Sequence, residues 1–368
     1  MNERLFVDLK REDSLWEHLR TETRPIILYG TGNGADKIID RLEAVGRKPD
    51  GVFASAGFVR HRTFRGMPVE SYEDIVARLG EDIVILIAFG STLPDVIERM
   101  KELDARHTVF IPEVPLIGGE VFTFDYFTEH LPELERAYSL LADDTSRALY
   151  LDMILYRLTG KIEYLSRTEG WAESLSLLID TEKIETALDG GAFTGDSAAM
   201  MRSVCPHLKA IIAAEADART VKKLTAYAET TNGVVRPFHT ALWDKEDTLT
   251  YSASASRGAG ADGTNRRAKT VTVTADTIDR LAADLPLHLI KLDVEGAEER
   301  ALSGADTVIR RDKPALLVSL YHRTEDLFTL PLTIADRYEG YSFSLRRVPC
   351  VPAWDLMLYA VPRHLCRI

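Results

Sequence analysis

The sequence predicts an α/β protein in which a smaller doubly wound α/β domain and a larger α/β domain are joined by a helical connector. Short apolar strands alternate with amphipathic helices over residues 24–111, and the same alternation returns after Glu185. Between them, residues 122–182 have little strand character. Alternating strands and helices favour a parallel, doubly wound sheet, which we expect before the connector. After the connector, helices intervene between the early strands, and the later segments are predicted as hairpin-like strands.

The chain of 368 residues is long enough for roughly two domains. We place a smaller doubly wound α/β domain at residues 1–115 and call it the front part. The helical connector then covers 116–183. The larger domain, called the back part, covers 184–368.

The front part begins with a polar helix near 13–19. Strand 24–29 then leads into a turn that contains Gly30, Gly32 and Gly34, and a helix follows to about residue 45. The remaining predicted elements are strand 51–54, helix 70–79, strand 82–89, helix 93–103 and strand 108–111.

This front glycine turn departs from the dinucleotide-binding pattern. It reads G-x-G-x-G-A, and the next strand ends at Ala54 and Ser55 without the acidic residue that would hold a ribose. An NAD site is therefore disfavoured, and scaffolding, dimerisation or substrate recognition is preferred. Binding of a sugar nucleotide stays open, because polar side chains follow three strands: Asn33, Ser55, Ser91 and Thr92.

The connector contains a long helix over residues 143–164, with apolar residues at helical spacing. Asp143 or Asp144 is the expected cap at its start. In the back part we predict strands at 186–188, 210–214, 234–237, 248–252, 270–274, 287–292, 315–319, 341–346 and 357–360. The expected helices are 198–204, 218–230, 276–285 and 297–310, and the glycine-rich stretch 252–264 is a predicted mobile loop.

A second glycine turn, at 189–196, is the strongest signal for a cofactor. A strand ends in Asp189, and Gly190, Gly191, Ala192 and Gly195 follow before a helix, which would bring backbone N–H groups against a ligand. About 20 residues later the next strand ends in Glu215, a side chain that can accept hydrogen bonds from both ribose hydroxyls. An ordinary turn and a surface carboxylate are the alternative interpretations.

Two later strand ends carry groups for acid–base chemistry. The strand over 289–292 delivers Asp293 to its carboxyl end, with Glu295 and Glu298 close behind. Carboxylates so near one another are costly unless they are solvated, paired or functional, although Glu298 also suits the first turn of a helix. The strand over 315–319 leads to His322, which titrates near neutrality and could take a proton from a hydroxyl. A structural histidine is the alternative.

These segments together resemble the FkbM family of S-adenosylmethionine-dependent methyltransferases. The resemblance covers about half the chain, from Glu185 to Pro362, and the string over 290–298 is its most specific piece. The matching pieces are A-L-D-G-G-A-F-T-G-D (187–196), A-A-E-A-D (213–217), I-K-L-D-V-E-G-A-E (290–298), A-L-S-G-A (301–305), S-L-Y-H (319–322) and L-Y-A-V-P (358–362). The front part, with its glycine turn, and L-L-A-D-D-T-S-R (140–147) resemble the segments that precede this domain in longer members.

The resemblance implies a Rossmann-like class I methyltransferase sheet of seven strands whose late strands form an antiparallel edge. It implies that S-adenosylmethionine lies with its methionine part over 189–195, its ribose on Glu215 and its adenine near Trp243, with Asp293 beside it. Trp243 as plain core is the alternative. Asp293 and His322 are the expected catalytic residues, which orient and deprotonate an acceptor hydroxyl. Asp293 could also bind a divalent cation, but we assign no metal site.

The expected activity is therefore O-methylation of a hydroxyl on a sugar, polysaccharide or secondary metabolite. The alternatives are an oxidoreductase or epimerase-like protein that uses the front turn, and a binding module without turnover. A net charge of −12 argues against a general nucleic-acid binder. Three cysteines without paired spacing, no signal peptide and no membrane-length apolar run predict a cytoplasmic protein. Its partner would be a small-molecule or glycan acceptor, and self-association through the front part is a further hypothesis.

Overall fold

The computed structural model describes residues 10–55, 57, 59, 63–118, 120–252 and 270–367. Of the loop predicted over 252–264, all residues after Ser252 lie outside the described part of the chain. Within the described part, no helix is long and apolar enough to cross a membrane.

The front part contains a six-stranded sheet in the order β3-β4-β2-β1-β5-β6. All neighbouring strands are parallel except the pair β3 and β4. Its strands are β1 (Ile26–Tyr29), β2 (Gly51–Phe53), β3 (Thr63–Phe64), β4 (Met67–Glu70), β5 (Val84–Ile87) and β6 (Thr108–Phe110). Its helices are α1 (Leu15–Thr21), α2 (Asn33–Ala44), α3 (Tyr72–Leu79) and α4 (Pro94–Asp104).

The doubly wound front sheet is thus confirmed, but two of its strands were not predicted. β3 has two residues, and β4 buries only Val69, so neither carries an apolar run. The central strands β1 and β5 are fully buried, as continuous apolar runs in a parallel sheet should be.

The connector consists of helices, as predicted: α5 (Phe124–Glu129), α6 (Leu131–Leu140), α7 (Asp144–Thr159) and α8 (Trp171–Leu178). Asp143 caps α7, because its side chain accepts a hydrogen bond of 2.8 Å from the backbone N–H of Ser146. The helix ends at Gly160, whose φ of +67° suits glycine.

The back part contains a seven-stranded sheet in the order β15-β16-β14-β13-β7-β8-β9. β16 runs antiparallel to both β14 and β15, which confirms the expected antiparallel edge. The strands are β7 (Thr186–Gly190), β8 (Ala210–Glu215), β9 (Val235–His239), β13 (Leu289–Leu292), β14 (Ala315–Ser319), β15 (Tyr341–Arg347) and β16 (Leu356–Pro362).

Three further strands form a small separate sheet in the order β10-β12-β11. They are β10 (Ala241–Leu242), β11 (Asp247–Ser252) and β12 (Thr270–Asp276). The helices of the back part are α9 (Asp196–Val204), α10 (Ala218–Glu229), α11 (Ile278–Leu281), α12 (Glu298–Ser303), α13 (Asp306–Asp312) and α14 (Asp326–Arg337).

One helix prediction in the back part was wrong in detail, and one helix was not predicted. The single helix expected over 297–310 is split into α12 and α13 around Gly304, where a Cβ would lie 2.0 Å from the carbonyl oxygen of Trp243. This close backbone approach interrupts an otherwise helical pattern. α14 was not predicted, and it contains Pro331, a residue that normally signals a helix end.

The two large sheets contact each other through the segments that follow their strands. Ser91 and Val351 exchange two backbone hydrogen bonds, and the N–H of Ile117 donates to the carbonyl of His322 over 2.9 Å. One continuous buried core includes Ile85 from the front sheet and Leu292 from the back sheet. The boundaries at 115 and 183 stay a prediction.

Candidate functional site

The predicted site residues are carried by neighbouring strands of the seven-stranded sheet. β14, β13, β7 and β8 lie side by side, and all four are parallel. Their carboxyl ends therefore meet at one edge, where ligands of open α/β sheets bind. Asp189 is the last residue but one of β7 and pairs with Lys291 of β13. Glu215 ends β8, Asp293 directly follows β13, and His322 lies three residues after β14.

The second glycine turn needs its glycines because protein segments approach it closely. A Cβ at Gly191 would lie 1.8 Å from the carbonyl oxygen of Asp293, and its φ is +71°. A Cβ at Gly190 would lie 2.6 Å from Leu242, and one at Gly195 would lie 2.3 Å from the Tyr227 ring. The turn therefore packs directly against the end of β13.

The N–H groups of this turn are used inside the protein, contrary to the expectation that they face a ligand. The N–H groups of Gly191 and Ala192 both donate to the carbonyl of Ala214 over 3.0 Å. The N–H of Phe193 donates to Glu215 over 2.9 Å. These bonds tie the turn to the end of β8, so it offers a ligand its surface shape rather than these three donors.

Glu215 stands at the far side of the turn with both carboxylate oxygens engaged by backbone donors. One oxygen accepts from Phe193 and the other accepts from the N–H of Asp217 over 2.8 Å. Burial raises the pKa of Glu215, and these backbone bonds oppose the rise. Each oxygen keeps a second lone pair, which is what two ribose hydroxyls would require.

A buried ion pair beneath the turn was missed at the sequence level. The ammonium of Lys291 lies 3.2 Å from the carboxylate of Asp189, and both residues are buried. Asp189 also accepts a hydrogen bond of 2.6 Å from Ser197. Burial alone would lower the pKa of Lys291, but Asp189 and Asp293 outweigh it, so the pKa lies above its usual value. A lysine within the apolar run 289–292 was the available signal.

Trp243 follows β10, whose Leu242 lies close to Gly190. The guanidinium of Arg300 lies over the Trp243 ring, 5.5 Å from its centroid, and also pairs with Asp244. A cation on one ring face stabilises Trp243 in place. The contact of this ring with an adenine stays a prediction.

Asp293 and His322 lie close together in a partly buried cluster of charged groups. The imidazole Nε2 of His322 lies 3.5 Å from Asp293 and 3.6 Å from Glu295. Its Nδ1 lies 2.9 Å from the carboxylate of Glu298. The hydroxyl of Tyr321 donates a hydrogen bond of 2.8 Å to Asp293. The structure thus brings the two predicted catalytic residues together and adds Glu298 and Tyr321.

Glu298 does more than begin a helix. It is the first residue of α12, yet its side chain is buried, and it accepts a hydrogen bond of 2.9 Å from the N–H of Val294. Because the same oxygen faces His322, Glu298 fixes both the turn after β13 and the position of the imidazole.

The expectation that His322 titrates near neutrality is wrong for the structure described here. Burial alone would lower its pKa, but Glu298, Asp293 and Glu295 outweigh it and raise the pKa to about 9. The imidazole therefore carries a proton at neutral pH. Asp326 is also close to this cluster, and burial and Glu298 raise its pKa to about 7.

The same cluster could hold a cation. Asp293, Glu298 and His322 each offer one ligand atom, and these atoms lie within 4.8 Å of one another. The sequence did not reveal this set, because the three residues are spread over 30 positions and the inward orientation of Glu298 is set by tertiary packing.

The comparisons with known proteins agree with this arrangement. Residues 189–343 match the family model of the methyltransferase FkbM domain. They form a methyltransferase domain of the FkbM family. The protein is accordingly an S-adenosylmethionine-dependent methyltransferase, and its matched segment includes Asp189, Glu215, Asp293 and His322. No curated protein sequence matches the chain significantly.

One solved structure supports the fold over nearly the whole chain. The chain is similar to methyltransferase FkbM from Methylobacillus flagellatus KT, with a TM-score of 0.68 and 19% sequence identity. That match covers 94% of this chain and 92% of the other, so it includes the front part as well. A fibrillarin from Aeropyrum pernix with bound S-adenosyl-L-methionine matches 49% of this chain and 68% of its own, at 15% identity and a TM-score of 0.33.

Proposed function

We propose that this methyltransferase binds S-adenosylmethionine at the second glycine turn and transfers the methyl group to a hydroxyl. The observation that carries the proposal is the position of Asp293. Its N–H donates to the carbonyl of Gly190 over 3.1 Å, and its side chain lies 3.5 Å from His322. One residue therefore joins the predicted cofactor turn to the predicted catalytic histidine.

Cofactor binding is assigned to the residues around the turn. Asp189, Gly190, Gly191, Ala192 and Gly195 would lie under the methionine part. Glu215 would accept hydrogen bonds from the ribose hydroxyls, and Trp243 would contact the adenine. Support comes from the rigid attachment of the turn to both neighbouring strands, since a preorganised surface loses little entropy when a ligand binds.

The roles of Asp293 and His322 follow from the chemistry of methyl transfer. The methyl of a sulfonium is already reactive, so the protein chiefly aligns a nucleophile and removes its proton. Asp293 is a hydrogen-bond acceptor at the edge of the cluster and would take or orient the hydroxyl proton. His322, protonated at neutral pH, would orient the Asp293 side chain and stabilise its negative charge. This stabilisation would end when the imidazole loses its proton at higher pH.

The acceptor that we propose is a hydroxyl of a sugar, polysaccharide or secondary metabolite. The alternative is a nicotinamide-dependent reaction at the front turn. Against it, the strand after that turn ends without an acidic residue, and the hydroxyls of Tyr29 and Ser55 are hydrogen-bonded to each other over 2.7 Å at this position.

Isothermal titration calorimetry with S-adenosylhomocysteine and with NAD separates the two functions. We expect S-adenosylhomocysteine to bind at one site per chain and NAD to give no heat of binding. The matched pair of variants is Glu215→Ala, which should weaken binding, and Glu185→Ala, which removes an exposed carboxylate at the start of β7 and should not. Binding of NAD without S-adenosylhomocysteine would refute the proposal.

A further inference from the structure

A cavity of about 650 Å³ lies between the carboxyl ends of the two large sheets. Its volume is in the range of sites that bind small molecules. The front sheet contributes residues 31–34 after β1, 87–93 around the end of β5 and 111–117 after β6. The back part contributes Glu295, Tyr321 and the segment 350–355. The cavity is therefore shared by both parts of the chain.

On the front side, the cavity lies at the point where the strand order of the sheet reverses. β1 pairs with β2 on one side and with β5 on the other, so the connections that leave their carboxyl ends diverge. Such a switch point forms a crevice in which ligands of open α/β sheets bind. The front glycine turn packs closely against the end of β5 at this crevice, because a Cβ at Gly34 would lie 2.7 Å from the carbonyl oxygen of Ala88.

On the back side, the same cavity reaches the catalytic cluster. Tyr321 lines the cavity, and its hydroxyl donates a hydrogen bond to Asp293. Glu295 also lines the cavity and lies 3.6 Å from His322. At this point the segments that follow the two sheets are joined by the hydrogen bond from the N–H of Ile117 to the carbonyl of His322. A molecule that fills the cavity from the front turn would end beside Asp293.

The charges around the cavity indicate which molecules it can accept. Three carboxylates line it: Glu113, which pairs with Arg157 over 3.0 Å, Glu295, which lies 3.6 Å from His322, and Asp355. The ammonium that lines it belongs to Lys37 and already donates to the carbonyls of Pro115 and Leu116 over 2.5 and 3.0 Å. Phosphate sites use arginine and lysine donors that can turn to the ligand, so this lining disfavours a phosphate group.

The remaining lining is neutral and suits a ring with hydroxyl groups. Thr31, Asn33, Ser91 and Thr92 offer donors and acceptors without charge, and Phe89 and Trp354 offer aromatic surface. We propose that the front sheet is the acceptor-recognition part of the enzyme. Its switch-point cavity binds an uncharged or cationic hydroxylated ring, such as a glycoside or an amino sugar without phosphate. This inference rests on the proposed function, because it assigns the acceptor of that same site.

Saturation-transfer NMR with small glycosides tests the inference on the full-length protein saturated with S-adenosylhomocysteine. The probes are methyl α-D-glucopyranoside, methyl α-L-rhamnopyranoside, D-glucosamine and D-glucose 6-phosphate at millimolar concentration. We expect saturation transfer to at least one of the three probes without phosphate and none to the sugar phosphate.

Two variants locate the binding. Thr31→Trp places a large ring at the cavity wall, and Thr128→Trp places the same ring on an exposed position of α5. Transfer should be lost in the first variant and kept in the second, while both retain the calorimetric affinity for S-adenosylhomocysteine. Equal transfer in both variants, strongest transfer to the sugar phosphate, or no transfer to any probe would overturn the inference. If the wild type did not bind S-adenosylhomocysteine, that result would instead contradict the proposed function.

Discussion

The ion pair of Asp189 and Lys291 lends itself to a double-mutant cycle. Three variants are needed: Asp189→Asn, Lys291→Met and the combination of both. Each single change replaces one charged side chain by a neutral one of similar volume. The charge of the other residue then stays buried without its partner, since Asp189 is 0% and Lys291 3% exposed. The double variant removes both charges at once.

The magnitude follows from the 3.2 Å separation of the two charges. With an effective dielectric constant of about 20, the Coulomb energy is about 5 kcal/mol. Breaking a buried pair by removing one partner typically costs about 3–5 kcal/mol, because the other charge is left uncompensated. We therefore expect each single variant to lose about 3–5 kcal/mol of stability and the double variant to lose less than the sum by about 3 kcal/mol.

Urea unfolding followed by circular dichroism gives the free energy of unfolding of each variant. Lys291 also lies 3.9 Å from Asp293, so Asp189→Asn should be the milder single change. The double variant should bind S-adenosylhomocysteine more weakly than the wild type, because Asp189 lies under the proposed methionine site. Additive losses would show that the two charges do not stabilise each other, and the electrostatic reasoning would be refuted.

Three further predictions concern the same edge of the sheet. Gly191→Ala should lose at least about 3 kcal/mol of stability, whereas Gly233→Ala, with similar φ but open space around it, should lose only about 1 kcal/mol in the same urea assay. Glu215→Ala should weaken S-adenosylhomocysteine binding by about 1–3 kcal/mol in calorimetry, and an unchanged affinity would remove it from the site. Protonated His322 stabilises the fold below its unfolded pKa of 6.5, and this contribution is lost as pH rises through about 9. Wild type should therefore lose about 3 kcal/mol across that range, as read from urea midpoints, and His322→Gln should respond much less.

The fold was predictable where a run of apolar residues along the chain indicates a buried strand. Continuous apolar runs revealed the central strands β1 and β5, since strands of a parallel sheet are covered on both faces. Shorter apolar stretches revealed β7 and β13, each of which also contains a charged residue. Elements whose existence depends on distant contacts were missed, such as β3, with two residues. The cytoplasmic location and self-association through the front part stay predictions.

The site was predictable to the extent that its residues stand at strand ends. Asp189, Glu215, Asp293 and His322 could be named because each follows an apolar strand. Lys291 could not, because its partner is 102 positions away and its role appears only when β7 and β13 pair in register. The raised pKa of His322 was equally hidden, since it requires three carboxylates that tertiary packing brings around one imidazole.

The tight contact between Gly191 and Asp293 has a mechanical consequence for the enzyme. Gly191 belongs to the turn that would bind the methyl donor, and Asp293 would receive the proton of the acceptor. Their backbones lie so close together that a Cβ at Gly191 would not fit. A displacement of one therefore moves the other, so donor and acceptor geometry are set together. Catalysis by alignment depends on that coupling, because a shift of about 1 Å between reacting atoms can cost a factor of 100 in rate.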